Sequence, residues 1–536
     1  MYDLVIKNGK VVDGTGNPWF NADVGIKDNK IVRIGKIDNK GHKILDAKGK
    51  FVSPGFIDGH CHSDLMILDF PESEIKLRQG VTTEVVGNCG LAPAPVKNKY
   101  KELLEVYTQP VLGKSYCEWK WNTVEEYFNV LDQNLASSHT ASYVAHGAVR
   151  IAVMGFDKRQ PTKQEMDEMK QIVDDAMRAG AIGLSIGLLY APSCYASKEE
   201  LVELCKVAAK YDGIFATHVR GEGNNLLSSI KDVIWIAEKA GISLHISHLK
   251  AAGKRNWGLV MQAMELIEAS RCRGMDIACD VYPYNASSTM LTTLLPPWSL
   301  EGGMGDTLKR LQDKTDREKI IGELSEERED WDNLVYSTGW ENVVISSVTS
   351  DKMKQYEGKN VKEIGQLNGK DPINQALDLL VEAEGNLGIV YYIMNEEDVR
   401  EVIRYPKSLI ASDSLTCYTG KPHPRLYGTF PRVIKRYVKD TNILTLEDAI
   451  RKMTSFPAKR FRLNNKGLLL EGYEADITIF DYDKVADLAT YENPMTLPEG
   501  IEHVVVNGQL TIENEKHNHK KAGHFIPFHS VKCACH

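Results

Sequence analysis

Between residues 54 and 460, eight short apolar runs follow one another, each leading into a stretch of helical periodicity. Strand then helix, repeated, is the pattern of βα units laid into a parallel sheet. The runs end near residues 56–60, 81–87, 143–146, 182–186, 214–218, 244–248, 277–282 and 409–413. Eight such units predict an α/β fold of the (β/α)8, TIM-like barrel type, whose chemistry gathers at the C-terminal ends of the strands. Polar residues at those ends therefore carry the functional information.

The two ends of the chain have a different texture. Short strands are expected over residues 2–7 (YDLVIK), 10–13, 22–27 and 30–35, with Asn8-Gly9 as a hairpin turn. Similar runs return at 475–481 (ADITIFD) and 501–506 (IEHVVV), followed by a second hairpin signal, Asn507-Gly508. Residues 1–53 and 461–536 are thus expected to build one small β-sandwich flanking the barrel at 54–460. About 125 residues separate the seventh and eighth strands, too many for a structureless loop. This insertion, at about 286–405, holds a charged helical stretch (306–332) and a strand-like run (343–348). It is expected to form a subdomain over the barrel mouth, as part of a lid or substrate wall.

Charge narrows the partners. The chain has 65 Lys plus Arg against 73 Asp plus Glu, a net charge of −8, and no long basic run, so the footprint of a nucleic-acid binder is missing. A small-molecule partner is expected. No apolar stretch approaches the roughly 20 residues of a membrane span, and residues 1–10 alternate polar and apolar instead of forming an export signal. The ten cysteines are scattered, as in a reduced protein, and a cytoplasmic location is expected. A tail with His517, His519, His524, His529, Cys533, Cys535 and His536 matches no closed zinc module and reads as solvated.

The strand ends carry metal-binding chemistry. In residues 54–62 (PGFIDGHCH), His60 and His62 lie two apart, so on an extended chain both imidazoles face one side. An isolated His-x-His also suits backbone hydrogen bonding. Its weight rises here because other ligand types close other strands. Cys89 follows the second run between glycines, and its thiolate is a strong zinc ligand or else a buried apolar group. His218 closes the fifth run and His248 the sixth, while His245 has the opposite parity and is expected to serve packing. Each alone could be structural. Together at one rim they point to a metal. Asp413 ends the eighth run, where it suits either a helix N-cap or a proton acceptor opposite a metal. These are the parts of metal-assisted hydrolysis, and neither Gly-x-Ser-x-Gly at a strand-to-helix turn nor a Rossmann glycine motif competes.

The ordered set of motifs resembles the D-aminoacylase (N-acyl-D-amino-acid deacylase) branch of the amidohydrolase superfamily. It runs from residues 3–14 (DLVIKNGKVVDG) through 55–62, 87–90, 183–195 (GLSIGLLYAPSCY), 217–220 and 247–250. It continues through 280–284 (DVYPY), 423–432 (HPRLYGTFPR) and 453–458 (MTSFPA). The resemblance implies a zinc-dependent hydrolase releasing a carboxylate and a free D-amino acid from an N-acyl-D-amino acid. It implies a tight Zn2+ site at Cys89, His218 and His248, a weaker second one at His60 and His62, and Asp413 as catalytic acid/base. Residues 171–197, which carry the fourth run, contain no lysine, so the carboxylated lysine of hydantoinases has no counterpart there.

By the same resemblance Lys250, Tyr282 and Arg425 bind the substrate carboxylate, though each also suits a rim salt bridge; Tyr190 and Arg220 lie near the mouth as well, where Tyr190 suits a contact to the carbonyl oxygen and Arg220 a loop brace. Lys250 lies two residues beyond His248, and Arg425 can pair bidentately with a carboxylate. Acid-specific relatives need a further cation for a D-Glu or D-Asp side chain, and residues 287–300 (SSTMLTTLLPPWSL) contain no Lys or Arg. Neutral, apolar D-amino acids are therefore the expected substrates. Two alternatives remain beside this reading: an amidohydrolase acting on D-residue dipeptides or other N-blocked amino acids, and a catalytically silent scaffold, which predicts missing ligands.

Overall fold

The computed structural model describes residues 1–38, 41–348 and 350–528. The tail residues His529, Cys533, Cys535 and His536 lie outside the described residues.

The eight parallel strands expected from the alternation form, distributed over two sheets. The larger has six strands in the spatial order Ser408–Ile410, Ile277–Val281, Ser243–Ile246, Ile214–His218, Gly183–Gly187 and Val144–Ala145, every neighbouring pair parallel. The smaller sets Phe56–Asp58, Val81–Val86 and His139–Ser142 side by side, again parallel. One polypeptide run supplies both His139–Ser142 and Val144–Ala145, interrupted only at Tyr143, so the sheets meet there. At the other end Cys61 and Ser414 form an isolated parallel bridge, and the Asp413 amide donates to the His60 carbonyl at 2.7 Å. Strand after strand is buried on both faces. Such strands read as continuous apolar runs because helices cover them. Helices Lys163–Arg178, Lys198–Lys210, Leu226–Ala240 and Leu259–Cys272 provide that cover. Their starts follow local chemistry: Thr162 and Glu165 form a reciprocal capping box.

Both termini enter one sheet of nine strands, in which Phe51–Pro54 joins Ile477–Phe480 antiparallel. Its side chains, among them Ile6, Val24, Val52, Ile477 and Val505, make an apolar core of their own. Asn507-Gly508 turns the chain between Ile501–Val506 and Gln509–Glu513, both residues at positive φ. Asn8-Gly9 does not: the strand Tyr2–Val11 continues through it, and Asn8 at φ 58° makes a bulge opposite Phe20–Lys27. The same dipeptide suits a bulge or a turn, and here Phe20–Lys27 pairs with the strand on both sides of it.

Within the insertion, Ser287–Met290, Leu387–Tyr391 and Val343–Val348 form an antiparallel sheet with the second of these in the middle. Helices Met304–Gln312, Lys314–Leu324, Val361–Asn368 and Pro372–Glu382 accompany it. No described helix is long and apolar enough to cross a membrane.

Candidate metal centre

His60 and His62 follow the first parallel strand and are both buried. Cys89 sits in the turn Asn88–Gly90 after the second strand at φ 54°, between Gly87 (φ 73°) and Gly90 (φ 70°). A Cβ at Gly90 would stand 2.8 Å from the Gly187 amide nitrogen, so the loop reaches this position only without a side chain there. His218 ends the fifth strand, and His248 lies two residues past the sixth at φ 35°. Asp413 follows the last strand at φ 47°. Three donor-bearing residues that are not glycine thus occupy the left-handed region, a costly backbone state that clusters where function requires it.

These strand ends converge. Cys89 Sγ lies 3.3 Å from His60 Nε2 and 3.7 Å from His248 Nε2. Asp413 Oδ1 approaches the same His60 Nε2 at 3.3 Å and lies 3.4 Å from His62 Nε2. The His218 and His248 rings meet edge to face with centroids 4.3 Å apart. Three overlapping donor sets result, each with its atoms within 4.8 Å of one another: His60, Cys89 and His248; His60, His62 and Asp413; and His218, Glu222 and His248. The grouping differs from the expected tight site of Cys89, His218 and His248. Cys89 shares its set with His60 and His248, whereas His218 shares one with His248 and Glu222.

The charges explain how the sets hold together. Burial opposes the Cys89 thiolate, but His60, His218 and His248 around it pull the thiol well below its ordinary range. Burial likewise opposes the Asp413 carboxylate, and Arg425, His60, His248 and His62 hold its pKa well below normal. Against burial, Asp280, Cys89 and Asp413 raise His60. Burial and Lys250 would lower His248, yet Asp413, Cys89 and Glu222 bring it to about 9. His218 is lowered, chiefly by burial, and neither of its ring nitrogens has a hydrogen-bond partner. An orphaned buried imidazole beside a buried thiolate and two further imidazoles is the donor chemistry of a zinc site. The residues present fit such an ion.

The other expected side chains surround these donors. Arg425 Nη1 is 3.0 Å from Asp413 Oδ2, and its guanidinium lies over the Tyr282 ring, Cζ to centroid 4.6 Å. Lys250 Nζ donates to Glu222 Oε1 at 2.5 Å and stands 2.7 Å from His248 Nδ1. Tyr190 meets His218 edge to face, centroids 5.1 Å apart, and its hydroxyl is 3.3 Å from Thr289 Oγ1 of the insertion. Arg220 donates to the carbonyls of Cys194 and Ala196, a loop brace. His245 faces inward, its Nε2 2.9 Å from Asp280 Oδ2.

Two carboxylates of the site escaped sequence reasoning. Asp280 binds His60 Nδ1 (3.1 Å) and His245 Nε2 through one oxygen and the His248 amide (2.7 Å) through the other. Glu222 lies 3.1 Å from His248 Nδ1 and 3.5 Å from His218 Nε2. Asp280 had a signal, since it occupies the strand Ile277–Val281 amid apolar neighbours. Glu222, in a polar loop, had none.

The sequence profile of the Amidohydrolase family matches residues 43–512. This chain belongs to that family. Two relatives from Alcaligenes xylosoxydans xylosoxydans resemble this amidohydrolase over nearly their whole length. An N-acyl-D-glutamate deacylase is 34% identical over 97% of this chain and 95% of its own. A D-aminoacylase is 32% identical over 98% of this chain and 97% of its own. Among solved structures, the N-acyl-D-glutamate deacylase of Bordetella bronchiseptica superposes with a TM-score of 0.84 at 30% identity, covering 98% of this chain and 99% of that one. That protein was crystallised with zinc and a phosphonate mimic of the tetrahedral intermediate.

Proposed function

We propose that this amidohydrolase uses zinc to hydrolyse the amide of N-acyl-D-amino acids, giving a carboxylate and a free D-amino acid. The observation that carries the reading is the buried thiolate of Cys89 among imidazoles, with Asp413 against the same His60 nitrogen. Its full-length likeness to deacylases of this substrate class supports it. The eight parallel strands are read as one (β/α)8 barrel at 54–460, with its insertion at about 286–405. The terminal segments 1–53 and 461–536 are read as a flanking sandwich. A cytoplasmic location suits a thiol that must stay reduced to serve as a ligand.

Cys89, His218 and His248 would hold the tight ion, and His60 with His62 a weaker second one. Bound there, zinc would polarise the scissile carbonyl and acidify a water. Asp413, kept ionised by Arg425 and the imidazoles, is ready to take the proton of the attacking water and return it to the departing amine. Glu222 and Asp280 accept hydrogen bonds from ring nitrogens and so fix imidazole orientation. Lys250, Tyr282 and Arg425 meet the substrate carboxylate, and Tyr190 its carbonyl oxygen.

The preference is for neutral, apolar side chains. An apolar crevice beside Tyr190, lined by Leu103, Val106, Leu189, Met290 and Leu300, contains no cation. A carboxylate buried there would lack a partner. Kinetics on N-acetyl-D-Leu, N-acetyl-D-Met, N-acetyl-D-Glu and their L-enantiomers test both claims. Turnover of the apolar D-substrates well above all others is expected. Comparable rates for N-acetyl-D-Glu would end the side-chain assignment, and no turnover of any D-substrate by zinc-loaded protein would end the reading itself.

A further inference from the structure

Below Asp413 lies an ion pair that the chemistry above does not use. Lys76, from the short helix Glu74–Leu77, is wholly buried, as is Asp58 at the end of the first parallel strand. Its ammonium donates to Asp58 Oδ2 at 2.6 Å, to Ser414 Oγ at 2.8 Å and to Ser412 Oγ at 3.2 Å. The serines are the two neighbours of Asp413 in sequence. Asp58 completes the clamp by accepting the Ser412 amide at 2.9 Å through Oδ1 and the Ser412 hydroxyl through Oδ2. Ser412 Oγ and Ser414 Oγ are themselves 2.9 Å apart.

A buried ion pair is a poor source of stability, because desolvation consumes most of its Coulomb attraction. Its geometry supplies a different role. Asp413 occupies the left-handed region at φ 47°, a state that persists only when its surroundings over-determine it. The clamp fixes the residues before and after it, and the Asp413 amide is anchored to the His60 carbonyl. Asp58 also lies two residues before His60, so the Lys76–Asp58 contact, with buried Glu84 3.9 Å from the same ammonium, ties the strand that leads to the histidines to the segment that carries Asp413. Burial alone would lower the Lys76 pKa, but Asp58, with Cys61 and Glu84, raises it. The ammonium stays charged.

We propose that Lys76 is a positioning residue for Asp413: through Asp58, Ser412 and Ser414 it holds the backbone conformation that aims the Asp413 carboxylate between His60 and His62. This rests on Asp413 being the acid/base. A displacement of about 1 Å at a catalytic group costs on the order of 10²-fold in rate. Lys76→Met is expected to lower kcat on N-acetyl-D-Leu by that order, while KM, which feels Asp413 only through its contact with Arg425, changes far less than kcat.

Because Lys76→Met leaves Asp58 and the buried Glu84, 3.9 Å from the ammonium, without a counter-ion, the decisive variant is the triple Lys76→Met/Asp58→Asn/Glu84→Gln, which removes all three charges. It is expected to recover thermal stability and bind zinc as the wild type does, yet keep the low kcat, because Ser414 has lost its anchor. Ser414→Ala, which leaves the ion pair intact, is expected to lower kcat several-fold with unchanged Tm. Return of kcat together with stability in the triple variant would reduce Lys76 to a structural role and overturn the proposal. So would near-normal kcat in both Lys76→Met and Ser414→Ala. If wild type is active and Asp413→Asn is dead, such results sink the positioning role alone; an inactive zinc-loaded wild type sinks the function it rests on.

Discussion

Arg425 Nη1 lies 3.0 Å from Asp413 Oδ2, so the cation proposed to grip the substrate carboxylate also grips the proposed acid/base. Lys250 is in the same position, with Glu222 2.5 Å away. Each cation proposed to bind substrate thus has an internal counter-ion. An incoming carboxylate must share or displace these partners, which couples binding to the state of Asp413.

Arg425→Met keeps an apolar stem over Tyr282 and removes the fork. It should lower kcat/KM by on the order of 10²-fold, in line with the about 3 kcal/mol for breaking a buried charge pair. Steady-state kinetics should place the loss in both parameters: KM rises as the carboxylate loses a cation, and kcat falls as Asp413 loses its counter-ion. A change in KM alone would mean that the Asp413 contact contributes nothing to turnover.

Asp413→Asn preserves shape and removes the proton acceptor. Zinc content by elemental analysis should match the wild type, while kcat drops by about 10²- to 10⁴-fold, the range for losing a general acid/base. Near-normal kcat in this variant would require another proton carrier.

Cys89→Ala deletes the only thiolate in the three donor sets. The purified variant should hold far less zinc than the wild type at equal free metal and should be inactive. In the wild type, titration with a chelator should abolish activity and added zinc should restore it. Full zinc retention by Cys89→Ala would move the tight site away from the thiol.

His524 offers a pH test remote from the metal. Burial first, then the neighbouring His139 and Lys466, lower its pKa from 6.5 to about 4. The rings of His139 and His524 are 4.4 Å apart, and Glu474 and Asp476 face them with opposite effect. Because the folded-state value is depressed, the unfolded chain binds the proton more readily. The neutral-His contribution is therefore complete above about pH 6.5 and disappears as pH falls towards 4, and because the ring is half-exposed, solvent screening keeps the loss below what the shift alone would give. Thermal melts between pH 7 and pH 4.5 should show a shallower acid slope for His524→Gln than for the wild type. Parallel slopes would assign acid lability to other groups.

Much of the site was legible because strand ends are marked twice, by an apolar run and by the polar residue that stops it. His60, Cys89, His218, His248 and Asp413 all follow such runs, and the fold brings each of them to one place. What stayed hidden depends on partners distant in sequence. Nothing local distinguishes Glu222 from any loop carboxylate; its meaning comes from His248 and Lys250, 26 and 28 residues away. Lys76 reads as an ordinary helix lysine until Asp58 and the two serines close around it. Asn8-Gly9 and Asn507-Gly508 carry the same turn chemistry, and only the pairing of the flanking strands decides that one bulges and the other turns.

The strand Phe51–Pro54, made early on the ribosome, waits for Ile477–Phe480, which emerges more than four hundred residues later. Until then its backbone edge is open, with apolar side chains beside it. During synthesis the nascent chain therefore carries an adhesive strand that only its own C-terminal portion is built to cover. Deletions from the end of this protein should accordingly reveal themselves first as aggregation in the cell, ahead of any defect in catalysis.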